Sequence, residues 1–336
     1  MKKINTDILK KGDVVLTTTS GKDSGFIRKV TNSDISHAMI CVAYGSVIDS
    51  TGEGVQARNI QKLLYDDECA IYILRLKTPL SEVQSDSIVN YARSSTGTSY
   101  TKIEAAKSIA PEIAGKGGVK QFCSRIVARA YASAGIMLVN NPDYCTPNDL
   151  KKSELLMQVD NPWIKVSDNE VEVIKQVGDA TEGMREKTNK LLTAIRALEP
   201  NVESLNDIDS LVIRRPDFDC LIANAFRTSG YLEHWKEELS RFPWRYDQIL
   251  ITQFYHSLSD PKELIQYCRD TLRDDENGAF AHWEANARGY SEANRMYPRE
   301  TFRLLNDLYT QLSLNHHKRI LSARLLINTY GKSNEL

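Results

Sequence analysis

The chain has 336 residues, 41% hydrophobic and 26% charged, with a formal net charge of -1. Length and composition describe an ordinary globular protein of about two domains, and so balanced a charge excludes a global attraction for nucleic acid or anionic lipid. No apolar run approaches the ~20 residues that a membrane-spanning helix needs, and the two lysines near the start have no apolar stretch behind them, as a secretory signal would.

In chain order, Asp13-Val-Val-Leu-Thr-Thr-Thr19 reads as a strand after the turn Lys11-Gly12. Ser36-His-Ala-Met-Ile-Cys-Val-Ala43 is a near-continuous apolar run, the mark of a strand buried on both faces. Gly45 separates it from Ser46-Val-Ile-Asp49, and together they predict a hairpin. Residues 59–65 and 81–93 read as helices, with the strand Cys69-Ala-Ile-Tyr-Ile-Leu-Arg-Leu76 between them. Ile126, Val127, Ala130, Tyr131 and Ala134 recur at helical spacing, and Gly135 stops that helix. Cys145-Thr-Pro-Asn-Asp-Leu150 predicts a turn into a short helix.

From about residue 170 the pattern is helical, with Leu191, Leu192, Ile195 and Leu198, then Leu221, Ile222, Ala225 and Phe226, and later Leu304, Leu305, Leu308 and Leu312 on helical faces. Pro216 and Pro243 mark breaks. The expectation is an α+β domain over residues 1–165 followed by an all-α domain over 170–336.

The six cysteines form no CxxC pair, which argues against a disulfide framework or a zinc signature and fits reduced thiols in a cytoplasm. Export without a cleavable leader is the alternative location. Adjacent residues on a helix point apart, so His316-His317 reads as a solvated face, not a metal site. Ser20-Gly-Lys-Asp23 hints at a phosphate-binding loop, but Leu16 stands where the first glycine belongs and Asp23 where the hydroxyl belongs. No cofactor or metal is expected.

One cysteine is differently placed. Cys123 opens its helix, where unpaired N–H groups and the helix dipole favour a thiolate. The plain alternative is a small buried hydrophobe. A cysteine nucleophile needs a base, and the base an orienting group. His37, after Ser36, is the one histidine of the first half, and inside an apolar strand it needs a partner. Asp49, at the end of the next strand, is the candidate; Glu53, in the Gly52-Glu-Gly54 turn, is its rival, ranked lower because the flanking glycines suggest a mobile loop. Tyr100 and Gln121 are candidate oxyanion donors beside the Cys123 backbone N–H, and Ser36 is a candidate on the substrate side.

The order histidine, acid, cysteine reverses that of papain. Lys11-Gly-Asp-Val-Val15, Ile35-Ser-His-Ala-Met-Ile-Cys41, Val47-Ile-Asp-Ser-Thr-Gly-Glu-Gly-Val55, Gly97-Thr-Ser-Tyr100, Phe122-Cys-Ser-Arg-Ile-Val127 and Thr146-Pro-Asn-Asp-Leu150 together resemble the circularly permuted papain-like amidases of the YiiX/YaeF type. These are relatives of the NlpC-type cell-wall peptidases and of lecithin:retinol acyltransferase. The resemblance covers residues 10 to about 160. It implies a small antiparallel sheet packed on a nucleophile helix, Cys123 as nucleophile, His37 as base, and an acid at Asp49 where the family usually has glutamate.

The expected activity is a cysteine hydrolase acting on a peptide or acyl-amide bond through a thioester. An acyltransferase or thioesterase handling a fatty acyl chain is the near alternative. A protein-binding module with a non-catalytic front domain is the distant one. In either case the helical domain is expected to select substrates, bind a protein partner or regulate.

Overall fold

The computed structural model of the protein describes residues 1–18, 33–43, 45–99, 122–177 and 179–331. It contains two compact units. One holds Met1–Leu192 with Glu199–Asp209, the other Thr193–Leu198 with Ser210–Leu336. The first unit therefore continues past residue 165, where the texture of the sequence changes.

The strands of the first unit are β1 (Lys2–Ile4), β2 (Val14–Thr17), β3 (His37–Ala43), β4 (Ser46–Thr51), β5 (Gly54–Asn59), β6 (Leu64–Tyr65), β7 (Ile71–Leu76), β8 (Leu156–Gln158) and β9 (Trp163–Lys165). Its helices are α1 (Glu82–Ser94), α2 (Cys123–Ser133), α3 (Pro147–Lys151), α4 (Asp168–Val177) and the start of α5 (Ala180–Leu198). Six strands form one antiparallel sheet in the order β5-β4-β3-β2-β7-β8, and three form a second, β6-β1-β9.

The apolar run of β3 follows from burial on both faces. Ala38, Ile40 and Val42 join Val14, Leu16 and the α2 residues Ile126, Val127 and Ala130 in one core. Met39 and Cys41 alternate to the other side and pack with Ile4, Val15, Val47 and Ile73. Each buried Val, Leu, Ile or Met among them contributes roughly 1.5–3 kcal/mol by leaving water.

Helix α1 starts at Ser81, whose side chain accepts from the Gln84 N–H while Gln84 answers in kind, a reciprocal cap. It buries Ile88, Val89 and Ala92. Helix α2 packs against α1, β3 and β4. Its buried Tyr131 donates its hydroxyl to the Gly12 carbonyl at 2.5 Å, fixing the helix to the turn before β2. The predicted short helix after Cys145 is α3, capped by Thr146 and Asp149.

Residues 59–65 do not form the expected helix. They hold one 3-10 turn, Ile60–Lys62, and then β6, in which Tyr65 and Leu64 pair with Lys2 and Lys3. A seven-residue segment gains little as an isolated helix, and pairing with β1 satisfies its backbone groups instead. The sequence pattern gave no sign of β1, whose partners lie far along the chain.

The second unit is helical: the end of α6 (Asn206–Arg214), then α7 (Asp219–Ser229), α8 (His234–Arg241), α9 (Gln248–Ser257), α10 (Lys262–Glu276), α11 (Ala281–Met296) and α12 (Glu300–Tyr330). Pro216 and Pro243 each open a 3-10 turn, as their ring chemistry predicts. Helix α12 is the spine, packed on α7, α9, α10 and α11. Ile251, Leu264, Ile265, Cys268, Ala323 and Leu326 form a core there. His316 is not on a solvated face: it lies beside Phe280 and Trp283, and its Nε2 is 2.8 Å from Asp275. Its neighbour His317 is exposed. Among the described residues, no group of metal-ligating side chains gathers and no helix is long and apolar enough to cross a membrane.

Candidate active site

Cys123 is the first residue of α2. The preceding Phe122 is extended and has no side-chain oxygen to cap the helix, and the first turn holds no acidic residue. The helix thus brings no carboxylate of its own to this end, where unpaired backbone N–H groups favour negative charge. Cys123 is nearly buried at 9% exposure.

His37 opens β3, level with Thr17 of β2. Continuing the register of Ile40 with Ile48 by one residue sets Asp49 level with Met39 and diagonal to His37, within side-chain reach. The imidazole Nε2 is 2.8 Å from Asp49 Oδ2. Cys123 also acts on this imidazole and strengthens its hold on the proton. Burial alone would drive the proton off this imidazole. The hydrogen bonds to Asp49 and Cys123 and the negative charge of both outweigh it and raise the histidine to about 10.

Other buried thiols have no such neighbour. Burial pushes Cys41 up to about 12, helped by Asp13, and Cys145 and Cys268 also to about 12. They are protonated structural residues at neutral pH.

Asp49 is 2% exposed and has a second cation. Arg58 Nε donates to Oδ1 at 2.8 Å and to Oδ2 at 2.9 Å. Its Nη2 donates to Thr51 Oγ1 at 2.9 Å and to Glu53 Oε2 at 3.2 Å. Glu53, the rival orienting acid, is 52% exposed and spends its carboxylate on Arg58 and, at 3.4 Å, on Arg185. Asp49 is the carboxylate at the ring. Ser36 is buried, with its N–H donating to the Thr17 carbonyl at 3.0 Å. Tyr100 and Gln121 lie outside the described residues.

Arg58 was not singled out from the sequence. A signal existed: the turn at Gly52 and Glu53 fixes the β4–β5 register, pairing Asp49 with Gln56 and placing Arg58 one step along the diagonal.

Residues 8–158 match the family model described as permuted papain-like amidase enzyme, YaeF/YiiX, C92 family. A solved structure, the metalloprotein yiiX from Escherichia coli O157:H7, is similar at 17% identity with a TM-score of 0.37, over 45% of this chain and 96% of that one. No curated protein matches. With histidine, acid and cysteine in permuted order along the matched segment, residues 8–158 belong to the permuted papain-like amidases of the YaeF/YiiX type.

Proposed function

We propose that the protein is a cysteine hydrolase that cleaves a peptide or acyl-amide bond through a thioester on Cys123. The observation that carries this reading is the His37–Asp49 hydrogen bond of 2.8 Å, with the Cys123 thiol on the same ring. A histidine raised to about 10 keeps its proton at neutral pH and stands beside the thiol that opens the helix.

In the first half-reaction the Cys123 thiolate attacks the carbonyl carbon, and the oxygen takes the electron pair. The Cys123 N–H, at the helix start, is the donor proposed for that oxyanion. When the carbonyl re-forms, the C–N bond breaks and the imidazolium gives its proton to the leaving amine. In the second, neutral His37 takes a proton from water, hydroxide attacks the thioester, and the carboxylic acid leaves as the pair is restored. Asp49 stabilises the imidazolium and fixes the ring in each step.

The test is peptide-mapped alkylation by iodoacetamide between pH 5 and 9 and, on separate unalkylated protein, incubation with panels of acyl amides and acyl thioesters. The expected result is selective labelling of Cys123 at low pH, loss of that selectivity in His37→Ala, and an acyl adduct on Cys123 that water discharges. An adduct discharged only to an added amine or alcohol would turn the reading to acyl transfer. Cys123 labelling no faster than the buried Cys41 and Cys145 would remove the catalytic reading.

A further inference from the structure

We propose that Arg58 is a positioning residue that holds the Asp49 carboxylate against His37. This rests on the reading of Cys123, His37 and Asp49 as the working set.

An aspartate carboxylate turns freely about its last torsion, which has broad preferences. One hydrogen bond to His37 does not stop that rotation. Arg58 does, because its Nε reaches both oxygens, at 2.8 and 2.9 Å, and so fixes the carboxylate plane with Oδ2 on the ring. The guanidinium is itself held. Its Nη2 is bound to Thr51 Oγ1 at 2.9 Å and Glu53 Oε2 at 3.2 Å, and its side chain is 15% exposed. A carboxylate as buried as Asp49 needs compensation, and a planar, permanently charged fork supplies it in a way an ammonium cannot.

The strand carrying Arg58 is braced from outside the matched amidase segment. Gln56, also on β5 and 2% exposed, donates to Asn189 Oδ1 of α5 at 2.9 Å. Arg185 of α5 pairs with Glu53 at 3.4 Å and with Asp179 at 2.7 Å. Among the described residues, the ionisable groups around the clamp include His37 from β3, Glu53 from the β4–β5 turn, Tyr65 from β6, which feels both Asp49 and Arg58, and Arg185 from α5.

The experiment is the rate constant for iodoacetamide alkylation of Cys123 across pH 5 to 9, on the full chain, for wild type, Asp49→Asn, Arg58→Met and Arg58→Lys, with melting temperatures alongside. Wild type is expected to react selectively at Cys123 at the low end of that range. Arg58→Met is expected to react more slowly than wild type at pH 6 and to recover as pH rises, following Asp49→Asn, because the imidazolium beside Cys123 loses part of its stabilisation. Arg58→Lys is expected to fall between, since one ammonium cannot span both oxygens and Thr51. A wild-type profile in both Arg58 variants, with only a lower melting temperature, would make Arg58 a structural ion-pair partner and overturn the inference. If Arg58→Met does not fold, Arg58→Lys decides on the same criterion. Failure of wild type itself to label selectively at Cys123 would instead bring down the catalytic reading on which the clamp depends.

Discussion

Arg58 donates through Nε to both carboxylate oxygens of Asp49, at 2.8 and 2.9 Å, where only 2% of the aspartate meets solvent. The same carboxylate faces His37, so one buried anion serves two cations. Asp49→Asn removes the buried counter-charge shared by Arg58 and the imidazolium, leaving Arg58 only the exposed Glu53. Breaking one side of a buried pair costs about 3–5 kcal/mol. The expected outcome in urea titrations is a lower midpoint with the slope unchanged, together with slower Cys123 alkylation at pH 6. An equally stable, equally reactive Asp49→Asn protein would remove Asp49 from the site.

The longer acid is not expected to improve matters. Asp49→Glu adds a methylene where the carboxylate already meets Arg58 and His37 at hydrogen-bond distance. Overpacking of this kind costs typically 1–3 kcal/mol. Lower stability than wild type and no faster alkylation is the outcome a rate-and-melt comparison should give. A faster, more stable Glu variant would mean that the Arg58 clamp adapts to either acid.

Stability should depend on pH through His37. Its folded value is raised to about 10 from 6.5, so the folded protein holds this proton more tightly than the unfolded chain. The contribution is fully present below pH 6.5 and is lost as pH climbs through 10. Melting temperature should therefore fall across that window. Cys123→Ser removes one of the two groups that raise the histidine, and the fall should become shallower. Parallel curves for wild type and Cys123→Ser between pH 7 and 10 would contradict the charged pairing.

The α+β start, the helical remainder and the hairpin carrying His37 and Asp49 were legible because each rests on local signals: a two-sided apolar run, a glycine turn, a cap. The 59–65 segment was misread because its apolar residues fit either period, and the strand β1 that decides the matter pairs across more than sixty residues of sequence. The inclusion of α4 and of α5 up to Leu192 in the first unit escaped for a related reason. Gln56 to Asn189 and Gly97 against Leu192 are contacts between distant points of the chain, with no local signature. Arg58 lay within reach of register arithmetic, but only once the Gly52–Glu53 turn is taken as the pivot of a second hairpin.

Tyr131→Phe separates stability from chemistry. The hydroxyl binds the Gly12 carbonyl in a fully buried setting, and its removal leaves that acceptor unsatisfied. The cost should be about 1–3 kcal/mol. Cys123 stands two helical turns away on α2 and keeps its own partners. Alkylation should stay at the wild-type rate below the melting transition, while the urea midpoint drops.

Gly54 joins the hairpin to the stretch that leads toward Cys123. Its φ is +90°, and a Cβ built there would stand 2.6 Å from the Thr98 carbonyl oxygen. That oxygen accepts from the Val55 N–H at 2.9 Å, and the Gly97 N–H returns a bond to the Val55 carbonyl at 2.8 Å. Gly54→Ala must both strain the backbone and push Thr98 away, a cost of about 1–3 kcal/mol. The displacement opens the two bonds that pin residues 97–98 to β5, the strand that carries Arg58. Slower Cys123 alkylation should therefore accompany the loss of stability. Gly52→Ala is the control, since nothing lies within 4 Å of its added carbon. If the two variants melt and react alike, the pinning of residues 97–98 to β5 is not what holds this side of the site.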